Sequence, residues 1–223
     1  MKNVRLDDWE SLKPSVFGWG INDVNYKISV KKELYTVDGN RKRVSLWECP
    51  YYQDWYSILR RCLCPIYISK NPTYKDCTIC EDWKYFSNFI KWVDSQPNRD
   101  WVNCVPDKDL LLTNNKHYSS KTVVYISKQV NVFMVDHKNA RGKYLLGVTD
   151  SIGKNKPFKA TCCNPFVTGC RHIGVFKTEL EAHLAWQAKK HEYACLLAEK
   201  QTDLRVAMAL RERYAPDKDW TKA

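Results

Sequence analysis

Asp107-Lys108-Asp109-Leu110-Leu111, followed by Asn114, Asn115 and His117 and closed by Asn131, is the stretch on which the reading of this chain turns. Val102 to Asp107 reads as a short strand, and Thr113-Asn114-Asn115-Lys116 has the composition of a turn. Val123-Val124-Tyr125-Ile126-Ser127 is a second β-prone run, and a helical turn is expected from there to Asn131. A hairpin and a helix would thus carry polar groups at both ends of one compact motif. Asp107 at a strand end and Asn131 on a helix offer oxygen donors, the ligand type that magnesium prefers.

Downstream, Tyr144–Val148, Phe158–Cys162 and His172–Phe176 are expected strands, punctuated by Gly147, Gly153, Gly169 and Gly174. Val148, Phe158, Ala160, Ile173 and Phe176 are expected to pack against Leu184, Ala185 and Ala188. Residues 178–213 contain no Pro or Gly and read as one long helix or two, with Thr178 and Glu181 as a capping box. Upstream, Tyr52, Trp55, Tyr56, Leu59 and Leu63 recur at helical spacing over residues 49–63, a helix that Pro65 is expected to end. A second helix is expected from Asp82 to Asp94. Asp38-Gly39 signals a hairpin, and the adjoining Arg41-Lys42-Arg43 is either a solvated turn or a phosphate clamp. The fold class is α+β, divided at residues 1–137 and 138–223.

The chain has 36 Lys+Arg against 25 Asp+Glu, a net charge of +11. Between Lys138 and Lys177 stand eight basic residues and one acid, so this segment holds most of the excess. Such a cluster is attracted to polyanions, nucleic acid first. No apolar run approaches the ~18 residues of a membrane span, and the first residues lack a signal core. A cytosolic protein with reduced thiols is therefore expected, without disulfides. Ten cysteines are many for such a protein. Cys62-Leu63-Cys64 and Cys77-Thr78-Ile79-Cys80 have spacings that can supply four thiolates to a structural zinc ion, with Cys49 and Cys104 as alternative members. Cys162, Cys163 and Cys170 read as packing residues of the basic sheet. His137, His183 and His191 lack ligand-like companions and are assigned to the surface or to caps. Most of the tryptophans and tyrosines fall in the first hundred positions, where core packing is the expected use for most.

The run from Asp107 through Asn114-Asn115, Tyr118-Ser119-Ser120 and Val124-Tyr125-Ile126-Ser127-Lys128-Gln129-Val130-Asn131 resembles the ββα-metal site of phage HNH homing endonucleases. Cys49-Pro50-Tyr51-Tyr52, Trp55, Leu59-Arg60-Arg61-Cys62, Pro72-Thr73-Tyr74 and Cys80-Glu81-Asp82-Trp83 look like the segment that precedes this site in such proteins. The resemblance implies that Asp107 and Asn131 hold Mg²⁺ (or Mn²⁺), and that Asn114 or Asn115 braces the loop. HNH proteins often carry a structural zinc as well. The departure is Lys108, which stands where the family has its general-base His. A lysine accepts a proton near neutral pH only when burial or a neighbouring cation lowers its pKa. Between Asp107 and Asp109, Lys108 is expected to keep its proton. His117 is the substitute base.

Gly142-Lys143-Tyr144-Leu145-Leu146-Gly147-Val148, Lys156-Pro157-Phe158-Lys159-Ala160, His172-Ile173-Gly174-Val175-Phe176-Lys177-Thr178 and Glu181-Ala182-His183-Leu184-Ala185-Trp186 together resemble the APETALA-two/ethylene-response-factor type of DNA-binding domain. That domain is a three-stranded antiparallel sheet packed on one helix. Arg141, Lys143, Lys154, Lys156, Lys159 and Arg171 are the expected DNA contacts. The lysines would grip phosphate, while Arg141 and Arg171 are suited to guanine because a guanidinium can bond a base edge at two points.

The two resemblances together imply a site-recognising, metal-dependent endonuclease for double-stranded DNA, working in the cytoplasm of a phage-infected bacterium. A monomer with one metal site would nick, and cutting both strands needs a homodimer or a second event. The rival expectation is an inactive, sequence-specific DNA-binding protein, a repressor or accessory factor, descended from such an enzyme.

Overall fold

The structure, a computed structural model, describes residues 15–97, 100, 102–135, 143–153 and 155–221. The elements up to the central motif are β1 (Ser29–Tyr35), β2 (Arg41–Glu48), α1 (Pro50–Leu63), α2 (Pro65–Lys70), β3 (Thr78–Ile79) and α3 (Phe86–Asp94). The motif holds β4 (Cys104–Asp107), β5 (His117–Tyr118), β6 (Val124–Ser127) and α4 (Lys128–Met134). There follow β7 (Val148–Asp150), β8 (Phe158–Cys163), β9 (Cys170–Phe176), α5 (Glu179–Ala198) and α6 (Leu204–Arg213). The fold is mixed α and β. It divides into two compact units, Met1–Trp101 with Leu112–Val124, and Val102–Leu111 with Tyr125–Ala223. The boundary expected at 137/138 lies outside the described residues.

The first unit has an aromatic core. Trp55, Ile58 and Leu59 of α1 are buried together with Trp83, Phe86, Phe89 and Val93. The Trp55 indole donates to the Trp83 carbonyl at 2.7 Å, so its polar end is satisfied inside the core. Removing a ring of this kind costs about 3–5 kcal/mol. Pro50 suits the first turn of α1 because its φ is preset and its missing N–H is not needed there. Helix α1 ends at Leu63 ahead of Pro65, as expected, and Pro65 then opens the short α2 after an extended Cys64. The helix expected from Asp82 also begins later. Ile21 bonds with both Lys84 and Phe86, which draws Tyr85 into a parallel bridge and leaves α3 to start at Phe86.

In the second unit β4 pairs with β6, and α4 follows β6 directly and packs against β4. The remaining strands form the expected three-stranded antiparallel sheet, in the order β7-β8-β9. Phe158 stands opposite Asp150 and Phe176, and Ala160 opposite Val148 and Gly174. Helix α5 covers this sheet, and Val148, Ala160 and Ala182 form the centre of a core that Tyr144, Leu145, Phe158, Ile173, Phe176 and Ala185 complete.

Several expectations shift by a turn. The first strand begins at Val148 rather than Tyr144. Gly147 adopts a φ of +77°, and a Cβ there would collide with the Trp186 ring. A left-handed residue ends the approach to the sheet at that point. Leu184 and Ala188 are exposed; Ala182 and Trp186 are buried instead. The capping box of Thr178 and Glu181 is present. The helical tail is two helices, because Asp203 accepts from the Arg205 N–H at 3.0 Å and caps α6.

Candidate metal centre and nucleic-acid interface

Asp107 closes β4. Its Oδ1 accepts from the N–H groups of Asp109 at 3.0 Å and Leu110 at 2.7 Å, which turns the chain out of the strand. Its Oδ2 makes no hydrogen bond among the described residues. Asn131 is the fourth residue of α4 and is half-buried. The start of that helix is fixed twice. Ser127 accepts from the Val130 N–H at 3.1 Å as N-cap, and Lys128 donates from its backbone to Asn103 at 2.6 Å and from Nζ to Val102 at 2.5 Å. Strand, loop, strand and helix therefore follow in the order read from the sequence, with Asp107 and Asn131 in the second unit.

Burial pushes the Asp107 carboxyl above its ordinary pKa, and the Asp109 carboxylate adds to this, while the Leu110 and Asp109 amides and the Arg213 guanidinium oppose it. Lys108 is buried and donates from Nζ to both Asp109 oxygens, at 2.6 and 2.7 Å. The lysine is thus held as an ion-pair partner. His117, the expected substitute base, belongs to the first unit, where it is exposed and its Nδ1 lies 2.9 Å from Thr78 Oγ1. Of the two asparagines, Asn115 is the one held to the backbone of His117. It is buried, donates to the His117 carbonyl at 2.7 Å and accepts from the His117 N–H at 2.9 Å. Asn114 is exposed and takes the left-handed turn position, at φ 60°.

Among the described residues no three His, Cys, Asp or Glu side chains gather in a way that could hold a metal ion. A magnesium ion at Asp107 and Asn131 would complete its shell from water and phosphate, as this ion commonly does. A carboxylate with one oxygen open in a desolvated setting has the donor chemistry for such a cation. Cys62, Cys64, Cys77 and Cys80, read as zinc ligands, are not disulfide-bonded. Burial raises the pKa of the Cys80 thiol.

The three-stranded sheet presents one face to α5 and one away from it. Lys159 pairs with Thr149 and Val175. It alternates with the buried Ala160 and so stands on the open face. Arg171 lies opposite the buried Cys162, which puts it on the other side of the ribbon from Lys159. Lys143, Lys156 and Arg171 are exposed, while Arg141 and Lys154 lie outside the described residues. Thr161 and His172 pair across β8 and β9 and extend the open face; strand alternation was the signal that could have found them.

Three assignments are overturned. His183 is fully buried, with Nδ1–H donating to the Leu146 carbonyl at 3.0 Å and the ring stacked on Trp186. Cys163 and Cys170 are exposed and joined by a disulfide, as their cross-strand register allows. Cys162 alone of the three is buried packing. His137 lies outside the described residues.

Lys190 and Arg213 had no signal in the sequence. Lys190 donates to the Phe133 carbonyl at the end of α4, at 2.6 Å, with its Nζ 3.7 Å from the Phe133 ring centroid. Burial lowers its pKa to about 8. Arg213 lies over the Tyr214 and Trp220 rings and near enough to Asp107 to act on its charge. Both interactions span long sequence separations, so no local pattern marks them. Comparison with protein-family models, curated proteins and solved structures finds no match.

Proposed function

We propose that this chain is a divalent-metal-dependent endonuclease that recognises and hydrolyses double-stranded DNA. One observation carries the reading. Strand β4 with Asp107 and helix α4 with Asn131 belong to the same compact unit as the basic three-stranded sheet. The two parts are tied by Lys190 to Phe133, and by Gln129, whose Nε2 donates to the Pro165 carbonyl at 2.7 Å. A grip on the duplex and a centre for cutting would then share one rigid frame, as hydrolysis at a fixed site requires.

Asp107 and Asn131 are the residues to hold Mg²⁺ (or Mn²⁺), which would neutralise charge on the scissile phosphate and make bound water more acidic. Asp107 keeps an oxygen open for this while its other oxygen fixes the turn. The Arg213 charge acts on Asp107. Lys143, Lys156 and Lys159 attract the phosphate backbone. Resemblance of the motif to phage HNH homing endonucleases, and of the sheet to the APETALA-two type, supports the same reading, with a phage-infected bacterial cytoplasm as the setting. Among the described residues no helix is long and apolar enough to cross a membrane. A monomer nicks one strand; a homodimer cuts both.

The Lys108–Asp109 ion pair favours a second reading, a DNA-binding repressor or accessory factor without activity, because it fills the expected position of the base. Incubating the protein with phage DNA, with and without Mg²⁺, and mapping the ends separates the two. Discrete magnesium-dependent ends support the endonuclease. Specific binding with intact DNA supports the second reading.

A further inference from the structure

The β1–β2 ribbon of the first unit buries almost nothing. Along both strands every residue is exposed except Ser29 and Val44, which are partly so. A two-stranded ribbon without a packed face is marginal in water, and this one also exposes Leu34, Leu46 and Trp47. Its charge is one-sided. From Lys27 to Arg43 there are six basic residues and two acids, Glu33 and Asp38.

Register distributes these cations over both faces. Lys32 and Lys42 share one face with Leu34 and Val44, since Lys32 pairs with Val44 and Leu34 with Lys42. Arg41 and Arg43 share the other with Lys31 and Glu33. Glu33 accepts from Arg41 Nε at 2.7 Å and Arg43 Nε at 3.0 Å, which holds the two guanidiniums side by side. The Glu33 pairs are exposed and screened by solvent, so a phosphate can displace the carboxylate at little cost.

We propose that the β1–β2 ribbon is a second DNA-contacting element, seated against a duplex groove and its phosphates. The choice of DNA as the polyanion rests on the nuclease reading of the second unit. Shape and charge both fit. Strands about 5 Å apart make a ribbon narrow enough for a major groove about 12 Å wide. Its basic rim matches the phosphates, and its apolar side chains meet sugars and thymine methyls. A second copy of the chain is a poor occupant, because edge lysines discourage strand pairing and two such ribbons repel each other.

The test is fluorescence anisotropy of the full chain with a labelled 30-base-pair duplex of arbitrary sequence, over a salt series. Arbitrary sequence suffices because binding to phosphate is sequence-independent. The variant R41Q/K42Q/R43Q is expected to bind roughly tenfold or more weakly, and the slope of log affinity against log salt to shrink by about 0.9 for each phosphate no longer neutralised. Glu33→Gln, which frees two guanidiniums, is expected to bind more tightly. All these side chains are exposed, so circular dichroism melts are expected to superimpose on wild type. Unchanged affinity and slope in the triple variant, with wild type binding normally, overturn the ribbon proposal and leave the nuclease reading standing. A dimer that dissociates in the variant, without a change in DNA slope, also overturns it, because the ribbon is then a self-interface. Failure of wild type to bind any duplex contradicts both readings together.

Discussion

Lys108 donates its ammonium protons to both carboxylate oxygens of Asp109, at 2.6 and 2.7 Å, with only 10% of its side chain exposed. Lys108 is thereby held as the ion-pair partner of Asp109. Lys108→His would place an imidazole beside a carboxylate able to orient it, and general-base catalysis contributes typically 10²–10⁴-fold. Single-turnover cleavage at neutral pH is expected to rise about tenfold or more in Lys108→His. A fall in rate would show that the lysine itself serves the reaction.

Asp107 is desolvated, and its ordinary ionised form is penalised by the fold. Its raised carboxyl pKa means that the folded state binds a proton more readily than the unfolded one, so this residue lowers stability above that pKa. Asp107→Asn keeps an acceptor for the Asp109 and Leu110 amides and removes the charge. At neutral pH it is expected to raise stability by up to about 1 kcal/mol while abolishing cleavage, the trade often seen at working sites. Asp107→Ala, which loses the turn bonds too, is expected to lower stability. Chemical denaturation of the three proteins measures both.

Lys190 gives a pH signature. Its pKa is lowered to about 8, first by burial and further by Arg213, with Cys162 opposing. The unfolded lysine titrates near 10.4. Between these values the unfolded chain binds more protons, so this residue makes stability rise with pH from about 8 to about 10.4. Below pH 8 both states are charged and the slope vanishes. The rise is expected to be roughly 2 kcal/mol after allowing for the partly open site, and it is expected to be absent in Lys190→Met. Parallel pH-stability curves for the two proteins would contradict the assignment.

The two faces of the sheet make separate predictions. Lys159→Gln is expected to weaken binding to all duplexes alike and to reduce the salt slope by about one. Arg171, across from Cys162 on the other side of the ribbon, is expected to matter less when changed to Gln. Anisotropy over a salt series, with two unrelated duplexes, reads both effects.

Local signals carried much of the architecture. The Thr178–Glu181 capping box, the alternation of β8 and the strand-then-helix order around Asp107 and Asn131 were legible because each depends on neighbours in sequence. The start of β7 was not legible, since it depends on the Trp186 ring pressing on Gly147 from a distant helix. The burial of His183 under the Leu146 carbonyl, the Cys163–Cys170 disulfide and the reach of Lys190 to α4 are likewise tertiary. The carboxylate and amide of the candidate centre were legible as residue types. Which of Asn114 and Asn115 turns inward needed the fold, because Asn115 bonds the His117 backbone while Asn114 is exposed.

If Asp107 and Asn131 hold the metal of a cutting centre, cleavage needs both residues and the metal. The most direct measurement is cleavage of supercoiled phage-derived DNA by wild type and by the Asp107→Ala/Asn131→Ala double variant, each with magnesium and with EDTA, beside a binding assay on the same samples. Discrete nicks or breaks are expected with magnesium alone, abolished in the variant while binding persists. Intact DNA under every condition, or cutting that survives in the variant, would contradict it.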